Sequence, residues 1–173
     1  MPDLPSLTNT QTFYIMESPE IHVLNRIRWQ FFGTLTFKSE RLSERRRYHM
    51  AYAHLRQIAK QFRVPFKGLL WVLRQEEGEM FGRLHFHYLL AGLDRRNVHP
   101  TTCHWIMNQW EDIGGGMARV SRFDPRLNAG AYLLKDLSFD DSSLAGGAYE
   151  SAKFGSGTCQ LTIAHSVWKK ASE

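Results

Sequence analysis

Apolar positions along this chain alternate between a two-residue period and a three-to-four-residue period, and each switch marks an element boundary. Residues 28–37, Arg-Trp-Gln-Phe-Phe-Gly-Thr-Leu-Thr-Phe, read as a strand. Residues 43–63 take the helical period: Tyr48, Ala51, Tyr52, Leu55, Ile58, Ala59 and Phe62 form one stripe, and Pro65 follows it. Arg45, Arg46, Arg47, Arg56 and Lys60 lie mostly off that stripe, which makes them a solvated face or a phosphate-contacting one. Residues 68–77 and 82–91 are apolar runs separated by the turn chemistry of Gly78 to Gly82, so they predict an antiparallel hairpin. Residues 101–113 are helical, with Trp105, Ile106, Trp110 and Ile113 on one side and a run of three glycines behind them. Residues 117–122 form a short strand. Asp124-Pro125 supplies an N-cap and a first-turn proline for a helix running to about Leu137. The Gly-, Ser- and Asp-rich stretch 140–157 predicts a loop, and Thr158 to Trp168 a last strand.

This order, β-α-β-β-α-β-α and a possible further β, predicts an α+β fold. A central antiparallel sheet of about five strands carries helices on one face and leaves the other open for a site. We expect one domain over residues 1–173, with its core at 28–137, an N-terminal arm at 1–27, and a loop and possible strand at 138–173.

Composition narrows the class without deciding it. A chain of 173 residues with 43% hydrophobic and 23% charged positions can bury an ordinary core. No apolar run is long enough to predict a membrane helix, and Met1 to Pro5 lacks the features of a signal peptide. Two cysteines, Cys103 and Cys159, are too few for a disulfide framework, so a reducing cytoplasm is expected. A net charge of +5 and a pI near 9.4 favour a polyanionic partner.

The sharpest chemistry lies in His85-Phe86-His87. Successive strand side chains point to opposite faces, so the two imidazoles project together while Phe86 points away. Paired imidazoles grip metal ions well, and a third ligand is at hand where the partner strand ends in Glu76-Glu77. Either glutamate can serve until the register is known: Glu77 is the first candidate and Glu76 its alternative. A His, His, Glu set suits a divalent ion, Mn²⁺ or Mg²⁺ rather than Zn²⁺. The bland reading is two half-buried histidines beside ordinary turn charges. On the last helix Leu127, Ala131 and Leu134 form the apolar stripe, while Asn128, Tyr132 and Lys135 share another side. A tyrosine beside a lysine can act as a nucleophile, or simply cap the rim of a core.

Taken together, these residues resemble the HUH endonuclease superfamily, in particular the replication initiator (Rep) proteins of rolling-circle plasmids and of single-stranded DNA phages and viruses. Phe32-Gly33-Thr34-Leu35-Thr36-Phe37 looks like the first family motif. Glu77 through His87 looks like the second, and Ala131-Tyr132-Leu133-Leu134-Lys135 like the third. The resemblance spans residues 30–137 and implies an RRM-like, ferredoxin-like sheet. It also implies an enzyme that nicks and rejoins single-stranded DNA at a replication origin. Tyr132 would form a 5′-phosphotyrosine, Lys135 would balance charge, and His85, His87 and a glutamate would hold Mn²⁺ or Mg²⁺. Arg83, Arg119, Arg122 and Asn128 are candidate DNA contacts, an origin stem-loop the expected substrate, and a host helicase and polymerase the expected partners. The chain departs from many members in having one tyrosine on that helix, and it has no phosphate-binding GxxxxGK[ST] loop for a helicase.

Other readings compete. A relaxase of the same superfamily places its nucleophile near the N-terminus, where Tyr14 stands; a transposase places it late, as here. A non-catalytic RRM-like domain would stack bases on exposed rings, with Phe32, Phe37, Trp71 and Tyr88 as candidates. Cys103, His104, Cys159 and His165 are too scattered for a structural zinc site.

Overall fold

A computed structural model describes residues 19–78, 82–129, 133, 145–146, 151–156 and 159–173. The fold is α+β, as expected. Its strands are β1 (Phe31–Phe37), β2 (Leu70–Glu77), β3 (Leu84–Ala91), β4 (Gly115–Arg122), β5 (Ala145–Gly146), β6 (Ser151–Ser156) and β7 (Cys159–Ala164). The helices are α1 (Pro19–Arg26), α2 (Glu44–Gln61), α3 (Pro100–Asp112) and α4 (His165–Ala171). The strands form one sheet in the order β4-β1-β3-β2-β7-β6-β5, with every pairing antiparallel, so β3 lies inside it.

Helices α2 and α3 cover one face. Tyr48 of α2 meets Phe86 edge-on at 4.9 Å between ring centroids, Tyr52 meets Trp71 at 5.3 Å, and Trp110 of α3 meets Phe37 at 5.6 Å. Ser43 caps α2 by accepting from the Arg46 amide, and a left-handed Gly114 follows the end of α3. Gly33 on β1 is required by packing, because a Cβ there would sit 2.2 Å from the ring of Tyr88. The opposite face carries the histidines, but only part of it is open. Val72, Leu89 and Ile163 lie on that face and are fully buried. Helices α1 and α4 lock to each other through Arg26, which donates to the Ala171 carbonyl at 3.0 Å, and Ser166 of α4 donates to Leu69.

Four expectations need correction. Residues 19–26 of the presumed arm are helical, and Leu24 is fully buried. The Gly- and Ser-rich stretch expected as a loop supplies β5 and β6, so the sheet exceeds five strands. The last strand ends at Ala164 and passes into α4 instead of running to Trp168. Asp124-Pro125 opens a turn, not a helix: the Asp124 carboxylate accepts from the Arg126 amide, and helix begins at Ala129. Among the described residues, no helix is long and apolar enough to cross a membrane.

Candidate metal centre

The register of the β2–β3 hairpin decides which side chains meet. Glu76 lies opposite His85, Arg74 opposite His87, and Glu77 opposite Leu84. Paired residues share a face, so Glu76 joins the histidines while Glu77 turns away with Leu84, its Oε1 lying against Gly82. The carboxylate of the centre is therefore Glu76, and the first assignment to Glu77 is corrected.

The three donor atoms converge. Glu76 Oε1 lies 3.0 Å from His85 Nε2 and 2.7 Å from His87 Nε2, and the two nitrogens are 3.2 Å apart. Ligands about 2.1 Å from a common ion, at right angles to one another, stand about 3 Å apart. The triad thus matches one face of an octahedron, and His85, His87 and Glu76 together can hold a metal ion.

The far side of each donor is also held. Glu76 Oε2 pairs with the buried Arg74 guanidinium at 2.9 Å, which leaves Oε1 to face the histidines. His85 Nδ1 donates to the Arg83 carbonyl at 3.2 Å; a carbonyl can only accept, so the proton sits on Nδ1 and Nε2 faces the centre. The Thr34 hydroxyl bonds His87 Nδ1 at 3.0 Å, and Phe32 stacks on the His87 ring. Such outer partners fix ligand orientation and tune affinity. Burial alone would raise the Glu76 carboxyl. Hydrogen bonds from His85 and His87, and the charges of His87 and Arg74, override it and hold the group well below the usual carboxylate range. The same contact with Glu76 raises His85, against its burial.

The remaining candidates separate. Arg119 lies opposite Thr34, in line with His87 and Arg74 across the sheet, and is exposed on the histidine face. Arg122 lies opposite Phe31 and so belongs to the other face, at the end of β4. Arg83 is exposed and pairs with Glu40 at 2.5 Å. Asn128 is exposed immediately before the helical Ala129. Tyr132 and Lys135, with Tyr14, lie outside the described residues. Of the four aromatics of the base-stacking reading, Trp71 and Tyr88 are buried beneath the helices, and Phe37 packs against Phe86 and Trp110. Only Phe32 shares the histidine face, where His87 covers it. Arg74 and Thr34 were missed as site residues; the period-two pattern places both on the histidine face once the register is known.

Compared with protein-family models, curated proteins and solved structures, the chain finds no match in any of the three.

Proposed function

We propose that this chain is a metal-dependent single-stranded DNA endonuclease and strand-joining enzyme of the HUH type, and that it nicks a replication origin of a rolling-circle replicon. The observation that carries the reading is the convergence of His85, His87 and Glu76 on one face of an antiparallel sheet, within a hairpin whose sequence resembles the second motif of that superfamily. The His, His, Glu donor set and its near-octahedral spacing suit Mn²⁺ or Mg²⁺. His85, His87 and Glu76 would hold such an ion, which would supply Lewis-acid stabilisation of the charge on the scissile phosphate.

The chain's own residues do the rest. Tyr132 loses its phenolic proton and its oxygen bonds to phosphorus; the bond from phosphorus to the 3′ oxygen breaks, and that oxygen takes up a proton. The products are a 5′-phosphotyrosine and a free 3′-hydroxyl, and the reverse reaction joins strands. Lys135 offsets the negative charge that builds at the phosphoryl group. Arg119, exposed in line with His87, suits a backbone phosphate crossing the sheet.

Labelled single-stranded DNA pools incubated with Mn²⁺ or EDTA and run on a denaturing gel test this reading. The expected result is a protein–DNA adduct that requires Mn²⁺ and vanishes in Tyr132→Phe, with binding retained. Binding without an adduct in any pool that contains the cognate origin would leave a DNA-binding module and remove the nuclease.

A further inference from the structure

We propose that a cleft at the opposite end of the sheet from the Glu76–His85 pair is a second DNA subsite, where Arg28, Arg95 and Arg122 take backbone phosphates of the strand flanking the cut. This rests on the endonuclease reading above. The cleft has a volume of about 550 Å³ and lies where β1 begins and β4 ends, bordered by Arg95 and Val98 at the two ends of a 3₁₀ turn. Trp29 and Phe123 form its apolar walls. The wall is tied down: the Phe123 amide donates to the Gln30 carbonyl at 2.8 Å, and the Trp29 indole donates to the Leu24 carbonyl at 2.8 Å.

What distinguishes the cleft is which of its polar groups are already used. The Gln30 side chain spends both ends on the backbone of Leu93. The Asp124 carboxylate is taken by Arg126, with contacts of 2.6 to 3.1 Å. Arg28, Arg95 and Arg122 are exposed, and none pairs with a carboxylate among the described residues. Three arginines thus line one cleft whose only carboxylate among the described residues, that of Asp124, is paired with Arg126. Guanidinium donors match phosphate oxygens, and their charge is fixed across all working pH values.

Position favours the strand being cut over a free nucleotide. Gln30 lines the cleft and Thr34 bonds His87, four residues further along β1, so the two sites are roughly 13 Å apart along that strand. Arg122 belongs to the face away from the histidines, so a DNA chain leaving the metal centre reaches the cleft by turning over the end of the sheet where β1 begins; a mononucleotide would have no reason to bridge the two.

The test uses the full chain in EDTA, where nothing is cut, with fluorescent random-sequence single-stranded DNA of about 8 and about 30 nucleotides. The triple variant Arg28→Gln, Arg95→Gln, Arg122→Gln should bind the long probe at least about tenfold more weakly at moderate salt, with the slope of log K against log salt smaller by about 2, as for three lost phosphate contacts. The short probe should lose much less. Lysine at the same three positions should restore most of the slope, which separates lost charge from a damaged fold. A charge-matched variant remote from the cleft, Lys60→Gln, Arg63→Gln, Lys169→Gln, should stay near wild type. Unchanged affinity and slope in the cleft variant, or an equal loss in the charge-matched one, would overturn the cleft. An adduct that still forms with Mn²⁺ would then show that only this subsite had failed; absence of both DNA binding and adduct in the wild type would sink the endonuclease reading with it.

Discussion

Arg74 turns the Glu76 carboxylate so that one oxygen faces the guanidinium and the other faces the two imidazoles. Removing either partner should therefore register in ion binding. We predict that Glu76→Gln weakens Mn²⁺ binding at least tenfold and that Arg74→Gln weakens it by about tenfold, the usual cost of losing a group that orients a ligand. Glu77→Gln, on the other face, should leave it unchanged. Titration calorimetry with Mn²⁺ decides this; equal losses at positions 76 and 77 would mean that the hairpin pairs differently. The sequence shows that two consecutive glutamates cannot both face the histidines. It does not show which one does, because the register depends on how the turn around Gly78 and Gly82 closes. There the Gly78 amide donates to the Arg83 carbonyl, and Gly82 takes φ +60.

At the scale of elements, the hairpin, β1 and both long helices were legible because each has an unbroken period. The α2 stripe from Tyr48 to Ala59 is buried as its spacing predicts. Arg47 departs from the pattern: it is buried, donates to Gln75 Oε1 at 3.0 Å and also bonds the Leu42 carbonyl. Such a partner on another element leaves no trace in a helical period. Strands β5 and β6 were illegible for a related reason. Their Gly- and Ser-rich sequences have poor intrinsic strand preference; the edge of β7 gives β6 its ladder, and β6 in turn gives one to β5. Contact between β1 and β3 carries its own prediction. Gly33→Ala drives a methyl into the Tyr88 ring, which is fully buried, and should cost about 2 kcal/mol. Melting should fall by roughly 4–8 °C. An unchanged melting temperature would mean that the ring has room to move.

The molecule as a whole buries an imidazole it must keep neutral. His54 is fully buried on α2, between Tyr88 and Trp110, and its Nδ1 bonds Gln109 Oε1. Burial outweighs that bond and pushes the group down to about 4. The sign follows: the unfolded chain takes up this proton near pH 6.5 and the native one only near 4, so the contribution is complete above about 6.5 and is lost as pH falls between the two. The loss should reach about 3 kcal/mol. Urea midpoints across this range should fall steeply for the wild type and less for His54→Gln; parallel curves would exonerate His54. Nothing in the sequence marks this histidine apart from the other seven, since its character comes from three elements closing over it.

Glu76 and His87 are only eleven residues apart, and His85 lies between them. An unfolded chain brings such close neighbours together at small entropic cost, so part of the proposed affinity for a divalent ion would survive denaturation. The ion would then act less as a clamp on the whole molecule than as a local crosslink, and saturating it would raise the melting temperature by less than its native affinity implies. Chelation in the denatured ensemble would also let the nascent hairpin take up an ion before the remaining strands arrive.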